Sequence, residues 1–384
     1  MHIGMISTYP PTQCGIATYS SYLVSKLEAL NAPATVDVIS PCGDGEDDSF
    51  SLSRADGSDL SERLFNTVVK LKPDVVHIQH EYGLYDPSRG LAITPLLYRL
   101  RAQGIPVVVT LHSVYEMFSE YQKLVVGNVC HSANAVIVHE EYQRESIARV
   151  VSSFGHVHVI PHGVRVIEPV GNAKERLGMT GKKIILLCGY FRPMKGFHRI
   201  VSLFPRIVDQ CPSAQLVVAG GPRRGGETDY SRHLLSLISS SPAKERIRLF
   251  KGPFSHEILD TILSAAEVVV LPYEIGSQSG ILAHCLAFGR PMVLSPLPSF
   301  KTLIERASCG FIAQRDDEFV SFILKIITRP ALARAFSENA RTFVRRHLSW
   351  RLVAEKHAEI YRRIVGISRA SLGSASALGA RPRR

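Results

Sequence analysis

Residues 183–209 read KIILLCGYFRPMKGFHRIVSLFPRIVD. Within them Ile184-Ile185-Leu186-Leu187 is an unbroken apolar run without polar alternation, the pattern of a strand covered on both faces. Cys188-Gly189-Tyr190-Phe191-Arg192-Pro193-Met194-Lys195-Gly196 interrupts the run with glycine and proline, and apolar residues then recur at helical spacing from 196 to 209. A buried strand, a turn and a helix in that order are the repeating unit of a parallel sheet with helices on both sides.

The same unit recurs in both directions from this stretch. Strands are predicted at 2–6, 35–39, 74–78, 106–110, 134–138 and 157–160, and again at 183–188, 215–219, 246–250, 267–271, 291–294 and 310–313. Helical spacing falls between them at 17–30, 58–71, 90–103, 140–151, 196–209 and 228–239. Two such series imply an α/β protein of two doubly wound domains. The periodicity lapses between Gly163 and Lys182, where Gly171-Asn172-Ala173-Lys174-Glu175-Arg176 intervenes. The expected division is therefore 1–165, 166–366 and a flexible basic tail, 367–384, whose Ser, Ala, Gly and Arg offer little apolar surface to bury. The last predicted helix, 350–366, carries Leu352, Val353, His357, Ile360, Tyr361 and Ile364 on a packed face.

A chain of 384 residues, 45% hydrophobic and 21% charged, has globular composition and exceeds one ordinary core. No apolar run approaches the roughly 18 residues that cross a bilayer. His2-Ile3-Gly4-Met5-Ile6 opens the chain as a strand, with no basic and apolar leader before it, so no signal peptide is expected. The seven cysteines at 14, 42, 130, 188, 211, 285 and 309 are odd in number and form no CxxC pair. That pattern reads as free thiols in a reducing cytoplasm, not as a disulfide framework or a zinc site. The net charge of +11 is uneven: residues 1–165 hold 12 Lys and Arg against 17 Asp and Glu, and the remainder 33 against 17. The second half is the one that suits an anion. Without a reader motif or a basic stripe interleaved with aromatics, nucleic acid is not an expected partner.

Open parallel sheets bind ligands beyond the carboxyl ends of their strands, so the loops there hold the candidates. After the first strand comes Ser7 to Thr18, in which Gly15 opens a helix and bares its first amides; an ordinary strand-to-helix turn accounts for it equally well. His80 and Glu81 follow the strand at 74–78, and His112 follows Val107-Val108-Val109, as crevice groups or as loop and cap hydrogen-bonding groups. Arg192 and Lys195 place two cations in a Gly/Pro loop before a helix, either as a site for a doubly charged anion or as a solvated pair. Leu271-Pro272-Tyr273-Glu274-Ile275-Gly276-Ser277-Gln278-Ser279-Gly280-Ile281 ends a buried strand and opens an apolar helix. Ser277 or Ser279 can cap that helix, and Gly280 lets its first amides reach a phosphate.

Taken in order, these segments resemble the family-4 retaining glycosyltransferases of GT-B fold. The resemblance covers the chain to about residue 366. It rests on Pro10-Pro11 to Tyr19, DVVHIQHEYG at 74–83, VVVTLH at 107–112, VIPHGV at 159–164 and the G-x-x-R-P-x-K-G loop at 189–196. VVAGGP at 217–222, FKGPF at 250–254, LPYE…SQSG at 271–280 and LAFGRPMVLS at 286–295 complete the set. The resemblance implies two Rossmann-like domains facing across a cleft, with the C-terminal helix returning to the first. It implies transfer of a hexose, mannose or glucose favoured, from a nucleoside diphosphate sugar to a saccharide or other hydroxyl acceptor.

On the matching positions, Gly15 would lie near the donor phosphate and His112 would contact the transferred sugar. Arg192 and Lys195 would neutralise the leaving diphosphate, assisted by the amides of Ser279, Gly280 and Ile281. Gly252 to Phe254 would hold the base, with Glu274 and His284 on the donor and His80 and Glu81 on the acceptor side. Two departures stand out: Tyr190 occupies the position where the family's first basic residue usually falls, and its E-x7-E motif meets Gly276 and His284, with Glu274 two residues out of register.

With cations in place of a divalent metal, no cofactor is required; the acidic run Asp44-Gly45-Glu46-Asp47-Asp48 reads as a solvated loop. The expected mechanism is front-face attack with retention, the departing phosphate oxygen assisting proton removal. The competing readings are a nucleotide-sugar epimerase or phosphorylase on the same fold, and a catalytically inactive nucleotide-binding relative. Since the first domain is net acidic and 113–127 holds Lys123 as its one Lys or Arg, at most transient membrane contact is expected.

Overall fold

The computed structural model describes residues 1–12, 14–40, 60–85, 90–152, 154–222, 228–252, 254–275 and 280–379, the side chains up to residue 368. The chain divides into two compact units, Met1–Gly163 with Trp350 onward, and Val164–Ser349. Each unit is built on a parallel sheet whose strands are short apolar runs, as expected of sheets covered on both faces.

In the first unit, β1 (His2–Ile6), β2 (Thr35–Ile39), β3 (Val75–His80), β4 (Val107–Leu111), β5 (Ala135–Val138) and β6 (Val157–Val159) lie in the order β2-β1-β3-β4-β5-β6. Side chains alternate between faces along a strand, and the two faces bury different partners. Val76, Ile78, Val107 and Val109 face a cluster with Leu64, Leu96 and Val129. Val75, Val108, Ala135 and Ile137 face the helix Gly15–Glu28 and the C-terminal helix Trp350–Gly379.

In the second unit, β7 (Lys183–Tyr190), β8 (Ala214–Gly221), β9 (Ile247–Lys251), β10 (Val268–Leu271), β11 (Met292–Leu294) and β12 (Gly310–Ile312) lie in the order β12-β11-β10-β7-β8-β9. The chain moves outward from β7 through β8 to β9, then returns to β10 on the other side of β7. The topological switch point therefore lies between β7 and β10, where an open α/β sheet leaves a crevice beyond its strand ends.

All twelve predicted strands are present, with ends shifted by a few residues at most. The domain limits differ from the expected ones. The second unit ends at Ser349, not at 366, because the helix from Trp350 buries Val353, Ala354, Ala358 and Tyr361 against the first unit's sheet. Val164 enters the second unit beside the exit, its N–H donating to Leu348 O at 2.7 Å. That helix also runs on to Gly379, where a flexible tail was expected. Ala370, Ala375 and Ala377 favour helix, and after Pro330 the next proline is Pro382.

Candidate functional site

The strand ends of the first unit carry imidazoles. Along β3, β4 and β5, the face under the C-terminal helix reads Val75-His77-Gln79, Val108-Thr110-His112 and Ala135-Ile137-His139 at every second position. Each row turns from apolar to polar toward its carboxyl end. His112 follows β4, its N–H donating to His80 O at 3.0 Å. Its ring is buried, edge-on to Tyr19 at 4.7 Å.

The ring nitrogens form one line of hydrogen bonds. His139 Nδ1 lies 2.9 Å from Ile160 O, and since a carbonyl only accepts, that nitrogen carries the proton. His139 Nε2 then accepts from His112 Nδ1–H at 3.3 Å, which leaves His112 Nε2 as an acceptor. The Gln79 side-chain amide lies 2.8 Å from it; the two ends of an amide are assigned from the network, and a neutral network puts its NH2 toward His112. At the other end the Tyr361 hydroxyl lies 2.6 Å from His77 Nδ1, and His77 Nε2 lies 2.8 Å from Thr110 Oγ1, so both ring nitrogens have hydrogen-bond partners.

Burial is the main reason these rings stay neutral. It holds His77 and His112 well below the usual imidazole value, helped at His77 by His357 and at His112 by His139, His162, His77 and His80. His139 is pushed down to about 3 and His357 to about 4, again chiefly by burial.

The acceptor-side candidates differ from each other. His80 is buried, its Nε2 3.3 Å from Gly90 O, and a Cβ at Gly90 (φ 92°) would meet the His80 ring. Glu81 is half-buried and accepts from Ser113 O–H at 2.6 Å and from Tyr82 N–H at 3.1 Å. Gly15 is the first residue of its helix, and a Cβ there would meet nothing within 4 Å, so the helix start is open. Cys14 caps that helix, its Sγ accepting from Ala17 N–H at 3.3 Å.

The second unit carries cations at its switch point. Arg192 lies extended after β7 and leads into the short turn Pro193–Lys195. Gly196 follows in the left-handed region (φ 62°), where a Cβ would overlap Pro272 O. This close approach joins the loop after β7 to the loop after β10, and Glu274 N–H donating to Met194 O at 2.9 Å joins them again. Lys195 Nζ lies 3.5 Å from the centre of the Tyr273 ring. Burial first, and then Arg192, lower the Lys195 ammonium to about 8. The ion pairs among the described residues include neither Arg192 nor Lys195, while the Glu274 carboxylate lies 4.0 Å from His198 Nε2.

Gly280 begins the helix Gly280–Ala287, and a Cβ there would meet nothing within 4 Å. Ile281 overhangs the end of β7: a Cβ on Gly189 would be 3.7 Å from Ile281 Cγ1. The helix start, the cationic loop and Glu274 thus share the switch point. Ser279, with Gly276 and Ser277, lies outside the described residues, as does the acidic run 44–48.

Gly252 follows β9 and donates its N–H to Gly220 O at 2.9 Å; a Cβ there would sit 3.1 Å from the Phe254 ring, so the two residues stack at the far side of β8. His284 is held from the side. Arg165 forks onto Asp260 at 2.6 and 3.1 Å and lies 3.4 Å from His284 Nδ1. A guanidinium only donates, so His284 Nδ1 accepts and Nε2 carries the proton.

Several partners were not singled out as site residues in the sequence: Gln79 and His139 in the first unit, with Tyr361 expected only as a packing residue, and Arg165, Asp260 and Tyr273 in the second. The alternation of His77 and Gln79 on one strand was a usable signal for the first group. The others meet only through the tertiary fold.

Fold and site together define an α/β protein with two cations at the switch point of its second sheet. Family models account for most of it: one described as Glycosyltransferase Family 4 matches residues 15–167, and one described as Glycosyl transferases group 1 matches residues 171–343. The chain belongs to this glycosyltransferase family, of GT-B fold.

Among curated relatives, it is 26% identical over 194 residues to the alpha-D-kanosaminyltransferase of Streptomyces kanamyceticus, covering 50% of this chain and 48% of that one. The phosphatidyl-myo-inositol mannosyltransferase of Mycobacterium leprae is 23% identical over 303 residues, 75% of this chain and 73% of that one. Among solved structures, sucrose-phosphate synthase from Thermosynechococcus elongatus superposes with a TM-score of 0.76 at 22% identity, over 96% of this chain and 100% of that one. Anabaena HepE, solved in complex with UDP and glucose, gives 0.72 at 15% identity, over 93% and 98%. No helix among the described residues is long and apolar enough to cross a membrane, and they contain no group of three or more His, Cys, Asp or Glu able to hold a metal ion.

Proposed function

We propose that this chain transfers a hexosyl group, mannose or glucose favoured, from a nucleoside diphosphate sugar to a hydroxyl of a saccharide or other acceptor, with retention of configuration. The observation that carries this reading is the pair Arg192 and Lys195, two cations without carboxylate partners among the described residues, on a loop locked to the loop after β10 at the switch point, beside the start of a helix. A diphosphate is the leaving group such a site suits. The guanidinium forks onto two oxygens, the ammonium acts as a point charge, and the first-turn amides of Gly280 and Ile281 add hydrogen bonds. Charge that develops on the leaving oxygen is met by groups already in place, which is electrostatic catalysis without a divalent cation.

The other roles follow on the same reading. Gly252 and Phe254 take the base, Glu274 and His284 the sugar and ribose, and Ser279 a phosphate oxygen. The His284 imidazole offers a donor at Nε2, where a carboxylate would only accept. His112 contacts the transferred sugar with its ring orientation set by Gln79 and His139, and Gly15 leaves room for the phosphate. Glu81 and Ser113 line the acceptor side, with His80 shaping the loop behind them. Free thiols at the six described cysteines accord with a reducing cytoplasm as the place of reaction.

A panel of nucleotide sugars incubated with and without acceptor saccharides tests the proposal. Nucleoside diphosphate released faster with acceptor, and a product of unchanged anomeric configuration by NMR, are the expected results. Conversion of donor alone into another sugar nucleotide points to an epimerase instead. An inverted product refutes retention.

A further inference from the structure

An ammonium drawn partly out of water, as the half-buried Lys195 is, ordinarily has a carboxylate beside it, because desolvating a charge is costly unless something nearby favours it. Lys195 has an aromatic face instead. Its Nζ lies 3.5 Å from the Tyr273 ring centre, and no ion pair among the described residues includes it. The ring is held firmly: Tyr273 is 3% exposed, its ring packs against Phe300 at 5.5 Å, and its carbonyl accepts from Ser295 O–H. The two loops are pinned to each other by Glu274 N–H to Met194 O and by the contact of Gly196 with Pro272 O. Lys195 and Tyr273 are therefore held in register by backbone as well as by their own contact.

We propose that Tyr273 is a positioning residue for the anion site, its ring face holding the Lys195 ammonium in place where a carboxylate would otherwise stand, so that the positive charge stays whole for a diphosphate. The inference rests on the reading that this site binds a nucleoside diphosphate. A carboxylate would fix the ammonium equally well but would repel the incoming phosphate. A π face attracts a cation through its quadrupole and carries no net charge, so it steadies Lys195 without cancelling it. The groups around the pair are consistent with this. Arg192 adds positive charge, and Glu274, the acid on the same loop, lies against His198.

Titration calorimetry on the full chain tests the proposal, with inorganic pyrophosphate and UDP as probes. The variants are Tyr273→Phe and the same phenylalanine bearing one, two or three ring fluorines introduced by nonsense suppression. These keep ring volume while draining electron density from its face. Tyr273→Phe should bind within about twofold of wild type, and each fluorine should weaken pyrophosphate binding by about two- to threefold. The alkaline loss of affinity, which follows Lys195 deprotonation near 8, should move to lower pH along the series, because a weaker ring face favours the neutral amine. Affinities and pH profiles that stay flat across the series, with wild type binding both probes, overturn the role of Tyr273 and leave the diphosphate site standing. Wild type that binds neither probe, nor any other nucleoside diphosphate, overturns both.

Discussion

The two sheets end in opposite kinds of polar chemistry. Beyond β3, β4 and β5 the first unit places neutral, buried imidazoles whose nitrogens are occupied by one another, by Gln79 and by Tyr361. Beyond β7 and β10 the second unit places Arg192 and Lys195, the latter over an aromatic face, near the start of the helix Gly280–Ala287. A satisfied neutral network costs little to bury and holds shape well, but it leaves no charge for a ligand. An incompletely paired cation costs stability and is ready for an anion. On the proposed function, the contrast gives the first unit the task of shaping a site and the second that of neutralising a leaving group.

The largest effect that sharpens this contrast is a pH effect on stability. The native imidazoles of His77, His112, His139 and His357 titrate below the unfolded value near 6.5, so between the two the unfolded chain binds more protons. Their contribution is complete above about pH 6.5 and is lost as pH falls toward the folded values, on the order of 1 kcal/mol per group per pH unit. Trp350, the one tryptophan in the chain, packs on Tyr19 and Tyr22 in the first unit. Its fluorescence should report a melting temperature that drops steeply between pH 6.5 and 5. A flat profile would break the account of the imidazole line.

The next effect belongs to the second unit. Lys195→Ala should lower turnover by about a hundredfold or more, the scale of losing one preorganised electrostatic group. Its melting temperature should stay nearly unchanged, since the half-buried ammonium is paired with no carboxylate among the described residues. Nucleoside diphosphate release and calorimetric melting measure the two halves. A smaller effect is expected from Tyr361→Phe, which leaves His77 Nδ1 without this hydrogen-bond partner and should cost about 1–3 kcal/mol in denaturant titrations followed through Trp350. Diphosphate affinity should stay unchanged in that variant; a parallel loss of affinity would erase the separation of tasks.

How far the sequence reveals these features depends on how local they are. Apolar β-branched runs at the strands and glycine beside cations at 189–196 are local patterns, and both are readable without a structure. The limits of the second unit are not local. Leu352 to Ile364 by themselves show that a helix has an apolar face but not which sheet it covers; the family resemblance implies the first, and the packing of Val353 and Tyr361 there agrees. The same holds for Tyr273, which in sequence closes a strand and in the fold lies under Lys195 because β10 returns beside β7. His112 was legible as a strand-end residue, whereas its orientation depends on Gln79, His139 and the carbonyl of Ile160, each brought in by register between strands.

The most direct test of the diphosphate claim is a comparison of matched ligands by thermal shift. Uridine, guanosine and adenosine diphosphates are set against their parent nucleosides, for wild type and Lys195→Ala. A ligand that binds the native state raises its melting temperature according to its affinity. At least one diphosphate should stabilise the wild type while its nucleoside does not, and Lys195→Ala should remove most of the difference. Equal shifts from a nucleoside and its diphosphate, or a diphosphate shift untouched by Lys195→Ala, would contradict the assignment.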